Sequence, residues 1–220
     1  MDIEQARYNM VEQQIRTWEV LDQQVLNLLF TVKREQFVPP AYRAIAFTDM
    51  EIPLGHDQFM MSPKLEARIL QEVAPKSTES VLEIGTGSGY LTALLASRAN
   101  RVTSIEYYAD LSSQAAERLQ AAGITNVSLL VGDAATPPAS LIQDQQYDVI
   151  VLTGSVPLVP EAYLSHLTLG GRIFAIVGDA PAMKAELIDK TGETTFATTE
   201  LFETVILPLI HAPQPSRFDF

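Results

Sequence analysis

Residues 81–90 read VLEIGTGSGY, and this stretch decides the fold. Its apolar start is typical of a buried strand, and glycine then stands at every second position, at Gly85, Gly87 and Gly89. Glycine lets the backbone turn sharply and come close to a ligand, and a helix that begins here would present free backbone N–H groups at its N-terminus. The stretch therefore predicts a strand, a ligand-binding glycine loop and a helix.

A second carboxylate supports this prediction. Glu106 ends the next apolar stretch, 101–105, at the spacing where nucleotide-binding sheets place an acid on the ribose hydroxyls. The glycine spacing separates the possible cofactors, because a dinucleotide fingerprint reads G-x-G-x-x-G and Tyr90 stands where its last glycine belongs. The pattern E-x-G-x-G-x-G, which begins at Glu83, instead resembles the first motif of S-adenosylmethionine (SAM) methyltransferases.

The composition is that of an ordinary globular protein. The chain has 220 residues, 47% of them hydrophobic, which is enough for one domain with a real core. A net charge of −12 repels phosphate backbones, so a nucleic-acid partner is not expected. The acceptor is expected to be a small molecule or a polypeptide.

Several other classes are also disfavoured. The chain has no cysteine, which excludes disulfides and thiolate metal sites, and its three histidines are scattered, so no metal site is expected. Its apolar runs are too short to cross a bilayer. The first residues lack the basic flank and apolar stretch of a signal peptide, so the expected location is the cytoplasm, away from membranes.

From Glu79 the sequence alternates between strand and helix patterns. We expect strands near 80–84, 101–105, 127–131, 147–153 and 171–177, and helices near 89–98, 110–122 and 160–167. Such alternation predicts a doubly wound, mostly parallel α/β sheet, which binds ligands at the carboxyl ends of its strands. The last segments, 194–198 and 201–210, are separated only by a turn and predict a closing antiparallel hairpin.

The chain is expected to form one α/β domain with a helical extension. Residues 1–75 predict helices and an irregular loop beside the acceptor, and Pro63 is expected at the first position of a helix. Residues 76–212 would bind the cofactor, and residues 213–220 would form a tail. The oligomeric state stays open.

Two further strand ends are candidate site elements. Asp133 and Ala134 follow the third strand, where a turn alone would explain them, but the sheet places that turn beside the glycine loop. There Asp133 would accept from the adenine amino group and the Ala134 N–H would meet a ring nitrogen. Thr153 ends the fourth strand and faces the expected methyl group, without the Asn/Asp-Pro-Pro-aromatic motif of adenine and cytosine amino methyltransferases. The acidic ligands of metal-dependent catechol methyltransferases are also not apparent there.

Several segments carry a more specific resemblance. Residues 33–42 read KREQFVPPAY, residues 52–55 read IPLG and residues 153–160 read TGSVPLVP. With the glycine stretch, they resemble protein-L-isoaspartate O-methyltransferases in the same order, over roughly residues 5 to 210. The resemblance implies a Rossmann-like fold, SAM as cofactor, and methyl transfer to the carboxylate of isoaspartyl residues in damaged proteins.

The resemblance also assigns roles to the cofactor-binding residues. Glu83 and the three glycines would hold the amino-acid end of SAM, Glu106 the ribose and Asp133 the adenine. Apart from the resemblance, either Tyr107 or Tyr108, which follow Glu106, would pack on the adenine or the ribose, although burial in the loop would also explain them. The full set of expected cofactor-binding residues is Glu83, Gly85, Thr86, Gly87, Gly89, Glu106, Tyr107, Asp133, Ala134 and Thr153.

The chain departs from the family on the acceptor side. Met61 stands where the family carries a serine that holds a carboxylate, and a thioether cannot donate a hydrogen bond. Ser62 is the candidate catalytic replacement if the loop shifts its register, although capping the helix that Pro63 begins would also explain it. Three functions stay open: a protein-isoaspartate methyltransferase, a methyltransferase for another protein or small-acid carboxylate, and a non-catalytic SAM-binding module.

Overall fold

The computed structural model describes residues 2–134 and 145–213. Its strands are β1 (Ile52–Gly55), β2 (Gln58–Met60), β3 (Ser80–Ile84), β4 (Arg101–Glu106), β5 (Val127–Val131), β6 (Tyr147–Val156), β7 (Leu167–Asp179), β8 (Ala182–Lys190) and β9 (Phe196–Glu203). Its α-helices are α1 (Ile3–Asn9), α2 (Gln23–Thr31), α3 (Pro63–Val73), α4 (Tyr90–Ala96), α5 (Ala109–Ala121) and α6 (Glu161–Ser165). Shorter helical turns of π and 3-10 type continue α1 and follow α2.

A seven-stranded sheet forms the centre of the molecule, in the order β5-β4-β3-β6-β7-β8-β9. The strands from β5 to β7 are parallel, and β8 and β9 complete the sheet in antiparallel pairing. The chain order reverses direction between β3 and β6, and parallel sheets of this kind bind ligands beside that point. The predicted α/β architecture with a closing antiparallel hairpin is confirmed.

The strands of that hairpin differ from those expected. A single strand, β9, replaces the two expected at 194–198 and 201–210, and its partner is β8. The sequence of β8, AMKAELIDK, is rich in good helix formers, and pairing between β7 and β9 overrides that preference. Residues 206–210 instead run back to the carboxyl end of β6, where Ser155 forms an isolated bridge with Pro208.

The N-terminal helices begin at capping residues. The Asp2 carboxylate accepts hydrogen bonds from backbone N–H groups of α1, and Asp22 does the same for α2. One hydrophobic cluster joins this region to the sheet, since Leu26 of α2, Leu94 of α4 and Phe174 of β7 belong to it and have no exposed surface. Of the predicted tail, residues 214–220 lie outside the described residues.

Strands β1 and β2 form a separate hairpin outside the main sheet. His56 and Asp57 make its turn, both with left-handed backbone conformations. The His56 ring stacks on Tyr108 with 4.0 Å between ring centroids, and its Nε2 lies 2.9 Å from the Asp110 carboxylate. The helix expected near 110–122 is α5, and the carboxylate of Asp110 in its first turn also contacts the hairpin. None of the helices in the described ranges has the length and apolar character needed to cross a membrane.

Candidate functional site

A cavity lies at the carboxyl ends of β3 to β6. It encloses about 1000 Å³, counting the solvent in its open mouth, and the β1–β2 hairpin and residues 206–210 form its outer walls. The predicted cofactor-binding residues on its wall are Gly85, Thr86, Gly87, Glu106, Tyr107, Asp133, Ala134 and Thr153. Glu83, Gly89 and Ser62 do not line it. The fold therefore brings most of the predicted residues to one place.

The glycine loop has space for no larger residue at Gly85. Its φ of +96° is left-handed, and a Cβ atom there would overlap Oγ1 of Thr153. That hydroxyl lies 2.7 Å from the Ile84 carbonyl oxygen and 2.9 Å from that of Gly85, so it holds the loop against the end of β6. At Gly87, with φ +52°, a Cβ atom would meet Leu54 of the hairpin at 3.3 Å. The hairpin thus packs directly on the loop.

The amide groups of these glycines are not free, contrary to the expectation from sequence. The Gly85 N–H donates to the Ile105 carbonyl at 2.8 Å, because the loop continues the pairing of β3 with β4. The Gly87 N–H donates to Oε2 of Glu106 at 2.8 Å, and the Gly89 N–H to the Thr86 carbonyl at 2.9 Å. These amides shape the loop, so polar recognition at the cavity falls to other groups.

Glu106 is the best-placed of those groups. Its side chain lines the cavity although the residue is only 5% exposed. Backbone N–H groups hold both carboxylate oxygens, Tyr108 donating to Oε1 at 3.0 Å and Gly87 to Oε2. Each oxygen can accept a further hydrogen bond. The carboxylate is therefore fixed in orientation and can bind two neighbouring hydroxyl groups.

Glu83 lies behind the loop rather than in the cavity. It has no exposed surface, and its Oε2 accepts hydrogen bonds from the hydroxyls of Thr92 and Ser104, each at 2.6 Å. The Ser104 hydroxyl is 2.6 Å from that of Thr86, which joins the network to the loop. Burial raises the pKa of Glu83 to about 7, with the Glu106 charge adding to the rise and the two hydroxyls opposing it. Glu83 supports the loop from behind. The direct contact with the ligand that the sequence predicts for Glu83 stays a prediction.

Asp133 and Ala134 form the floor of the cavity beyond β5. The Asp133 carboxylate lies 2.6 Å from Nδ1 of His211. The buried Tyr163 hydroxyl donates to the Ala134 carbonyl, and burial raises the pKa of that tyrosine. Tyr107 is 41% exposed and meets the His211 ring edge-on, with 5.5 Å between centroids. Sequence reasoning missed His211, because nothing in a lone histidine near the chain end indicates a partner 78 residues away.

The hairpin side of the cavity carries Met61. This residue is 9% exposed, and its carbonyl accepts a hydrogen bond from Arg34 Nη2 at 2.7 Å. Arg34 also forms an ion pair with Glu66 of α3, and its Nε donates to the Ala46 carbonyl at 3.0 Å. Burial lowers the pKa of Arg34 to about 10. The buried guanidinium of Arg34 thus holds the segment around Met61. The sequence KREQFVPPAY did not predict this role for Arg34.

Ser62 is not brought into the cavity. It occupies the N-cap position of α3, as the helix-cap interpretation requires, and Pro63 follows at the first helical position. Its hydroxyl makes no capping hydrogen bond with any residue that the structure describes. Its carbonyl accepts from the N–H groups of Leu65 and Glu66. The catalytic role considered for Ser62 therefore stays a prediction without a supporting contact.

The side chains around the cavity include carboxylates and apolar groups. Within residues 2–134 and 145–213, no three histidine or acidic residues come together in a group that could hold a metal ion. The cavity combines carboxylates, Glu106 and Asp133 among them, with apolar walls from residues such as Leu91 and Ile105. This combination suits a ligand with hydroxyl and amino donors on an apolar ring system.

Comparison with known proteins agrees with this geometry. The model of the family described as protein-L-isoaspartate(D-aspartate) O-methyltransferase matches residues 5–214. Protein-L-isoaspartate O-methyltransferase 1 of Pelobacter propionicus is 33% identical over 210 residues, which cover 96% of this chain and 98% of the relative. The protein-L-isoaspartate O-methyltransferase of Methanoculleus marisnigri is 35% identical, over 93% of this chain and 91% of the relative.

A solved structure shows the same fold. It is a protein-L-isoaspartate O-methyltransferase from Plasmodium falciparum, in complex with S-adenosyl-L-homocysteine. The TM-score is 0.79, with 96% of this chain and 99% of the other covered at 18% identity. At that identity, the likeness extends to the fold alone.

Proposed function

The chain belongs to the protein-L-isoaspartate(D-aspartate) O-methyltransferase family, and we propose that it methylates the α-carboxylate of isoaspartyl residues in proteins. It is a SAM-dependent methyltransferase, as its family membership establishes. The observation that carries the proposal is the single cavity wall that joins the glycine loop, Glu106 and Asp133. Because the family acts on proteins, a protein is the acceptor that we propose.

The residues at the cavity fit SAM. The carboxylate of Glu106, held by two N–H groups, would bind the two ribose hydroxyls. Asp133, with the backbone of Ala134, would take the adenine edge. The lack of a side chain at Gly87 lets Leu54 of the hairpin approach the loop, where a Cβ atom would meet it at 3.3 Å. Thr153, against the loop carbonyls, would face the methyl group.

The chain needs few chemical groups for this reaction. Bound SAM supplies an electrophilic methyl group on a sulfonium. A carboxylate acceptor has an ordinary pKa near 4 and is already ionised at neutral pH, so no general base is required. The protein has to align the acceptor and exclude water from it, which the hairpin and residues 206–210 can do as walls.

Met61 decides how the acceptor is held. The family's serine hydroxyl is replaced by a thioether that donates nothing, so the acceptor carboxylate would rely on backbone donors and on exclusion of water. A small-acid carboxylate is the second candidate acceptor, because an apolar wall at Met60 and Met61 also suits an acid without a peptide chain. This alternative is kept as a competitor in the test.

Methyl transfer to matched peptides tests the proposal. Purified protein and tritiated SAM are incubated with an isoaspartyl peptide and with the aspartyl peptide of the same sequence. We expect base-labile label on the isoaspartyl peptide only. The Met61→Ser variant is expected to lower the KM for the peptide by about threefold to tenfold, the range of one typical added hydrogen bond.

The outcomes separate the alternatives. Label on small acids but on neither peptide would show that the protein is an active methyltransferase whose acceptor is a small acid. Binding of S-adenosylhomocysteine without transfer to any acceptor would favour a non-catalytic module. The division of the chain at residue 75, the tail at 213–220 and a cytoplasmic location stay predictions, the last of which fractionation of the source cells can check.

A further inference from the structure

The His211–Asp133 contact is not explained by the fold of the sheet. His211 lies after the segment 206–210 that walls the cavity, and its side chain is 61% exposed. Its backbone is left-handed, with φ +57°, which directs the ring back towards the end of β5. Nδ1 then lies 2.6 Å from Oδ2 of Asp133, whose own side chain is 34% exposed.

A second contact fixes the same ring. Tyr107 meets His211 edge-on at an interplanar angle of 85°, and Tyr107 directly follows Glu106. The imidazole therefore touches a residue at the end of β4 and one beyond β5. Both of these, Tyr107 and Asp133, line the cavity, whereas His211 does not.

We propose that His211 is a positioning residue that orients the Asp133 carboxylate for recognition of the adenine amino group. The inference rests on the proposed function, because it takes Asp133 as the adenine-binding acid. The imidazole donates its Nδ1–H to Oδ2 and limits rotation of the carboxylate. An oriented carboxylate accepts from an exocyclic amino group and repels a carbonyl at the same place.

His211 thereby becomes a determinant of base selectivity. S-adenosylhomocysteine carries the amino group, and S-inosylhomocysteine carries a carbonyl in its place. A site built to accept a hydrogen bond discriminates against a ligand that lacks the donor. If His211 holds the acceptor in place, its loss reduces this discrimination without touching the methyl-transfer end of the cavity.

Two nearly isosteric substitutions test the proposal. Asparagine places its amide nitrogen close to the position of histidine Nδ1, and aspartate places an acceptor there, while both tolerate a left-handed backbone. The variants His211→Asn and His211→Asp, with His211→Ala, are compared by calorimetric titration with both nucleosides. His166→Ala is the control, since His166 contacts the Gln145 carbonyl and does not line the cavity.

We expect the ratio of the affinities for the two nucleosides to depend on whether residue 211 can donate a hydrogen bond to Asp133. In His211→Ala and His211→Asp the affinity for S-adenosylhomocysteine should fall about fivefold, the upper range for an exposed charged contact. The affinity for S-inosylhomocysteine should change by less than twofold. His211→Asn and His166→Ala should keep the wild-type ratio.

Other outcomes overturn the proposal. Equal losses for both nucleosides would mean that His211 only packs against the cavity, and an unchanged ratio in His211→Ala would remove its role altogether. A wild-type protein that binds S-adenosylhomocysteine without preferring it to the inosine analogue would refute the inference alone. A wild-type protein that binds neither would refute the proposed function as well.

Discussion

A carboxyl group without exposed surface lies directly behind the glycine loop, at Glu83. Thr92 and Ser104 donate to one of its oxygens, while the other, Oε1, is buried without a hydrogen-bond partner among the described residues. A buried carboxylate left half-paired is costly, which is why its pKa rises. The residue couples the stability of the loop to its protonation.

This coupling makes stability depend on pH. The pKa of Glu83 is about 7 in the fold against an ordinary 4.5, so the folded state binds the proton more tightly. The contribution of protonated Glu83 to the stability of the fold is complete below pH 4.5 and is lost as pH rises through 7. In the Glu83→Gln variant this loss is absent. From pH 5 to pH 8 its free energy of unfolding should therefore gain about 3 kcal/mol relative to wild type.

Urea unfolding at several pH values measures this difference, and Glu79→Gln is the control. Burial raises the pKa of Glu79, but hydrogen bonds from Arg172 and from the Lys76 N–H outweigh burial and hold this pKa below its ordinary value. The contribution of Glu79 is thus lost only as pH falls below that value. Its variant should show a constant difference from wild type between pH 5 and 8. A constant difference for Glu83→Gln too would contradict the raised pKa.

Single residues of the site were predictable where one backbone or chemical property decides them. The requirement for glycine at Gly85 follows from a turn that only glycine makes, and the place of Glu106 follows from spacing on parallel strands. The inward direction of Glu83 was not predictable, because in a strand buried on both faces neither face is marked by exposure. The partners of His211 and Arg34 depend on long-range packing.

Among the elements, the β1–β2 hairpin is held to the rest of the site by its tip. Leu54 packs on the glycine loop, and Met60 and Met61 wall the cavity. The tip is fixed by the stacking of His56 on Tyr108 and by its contact with Asp110. Because Tyr108 also donates its N–H to Glu106, this contact joins the hairpin to the expected ribose site.

Removing the tip contact should loosen the hairpin. Stacking of the two rings contributes about 1 kcal/mol, so in His56→Ala the hairpin amides should exchange hydrogen about fivefold faster. Exchange of residues 52–60, followed by mass spectrometry, measures this rate. Asp57→Asn is the matched control at the same turn, since it alters a charge without touching the stacked pair. Equal exchange in wild type and His56→Ala would show that Leu54 alone secures the hairpin.

The helices and strands were predictable where the sequence of the element itself determines its conformation. Strands β3, β4 and β5 lie within a residue of their expected bounds, because their apolar runs end at turn residues. The strand β8 was missed, since its composition favours a helix and only its neighbours in the sheet impose the extended form. The contact of Asp110 with His56 was likewise not predictable, because it joins residues 54 positions apart.

At the scale of the whole molecule, the N-terminal region and the sheet share one core. Leu26 of α2 and Leu119 of α5 lie in the same hydrophobic cluster, although they belong to the two regions divided at residue 75. The single tryptophan, Trp18, packs edge-on against Phe202 of β9 with 5.1 Å between ring centroids. The region that holds Arg34 and the acceptor loop is thus packed on both the helices and the last strand.

A shared core predicts that the chain unfolds in one cooperative step. Trp18 fluorescence reports the N-terminal region and far-ultraviolet circular dichroism reports the whole chain, so their thermal transitions should coincide. Leu26→Ala and Leu119→Ala form a matched pair, with exposures of 0% and 3%. Each should lower the free energy of unfolding by about 2–5 kcal/mol, and each should shift both transitions together. If Leu26→Ala moved the fluorescence transition alone, the N-terminal region would be a separate unit, and the acceptor loop could open without unfolding the sheet.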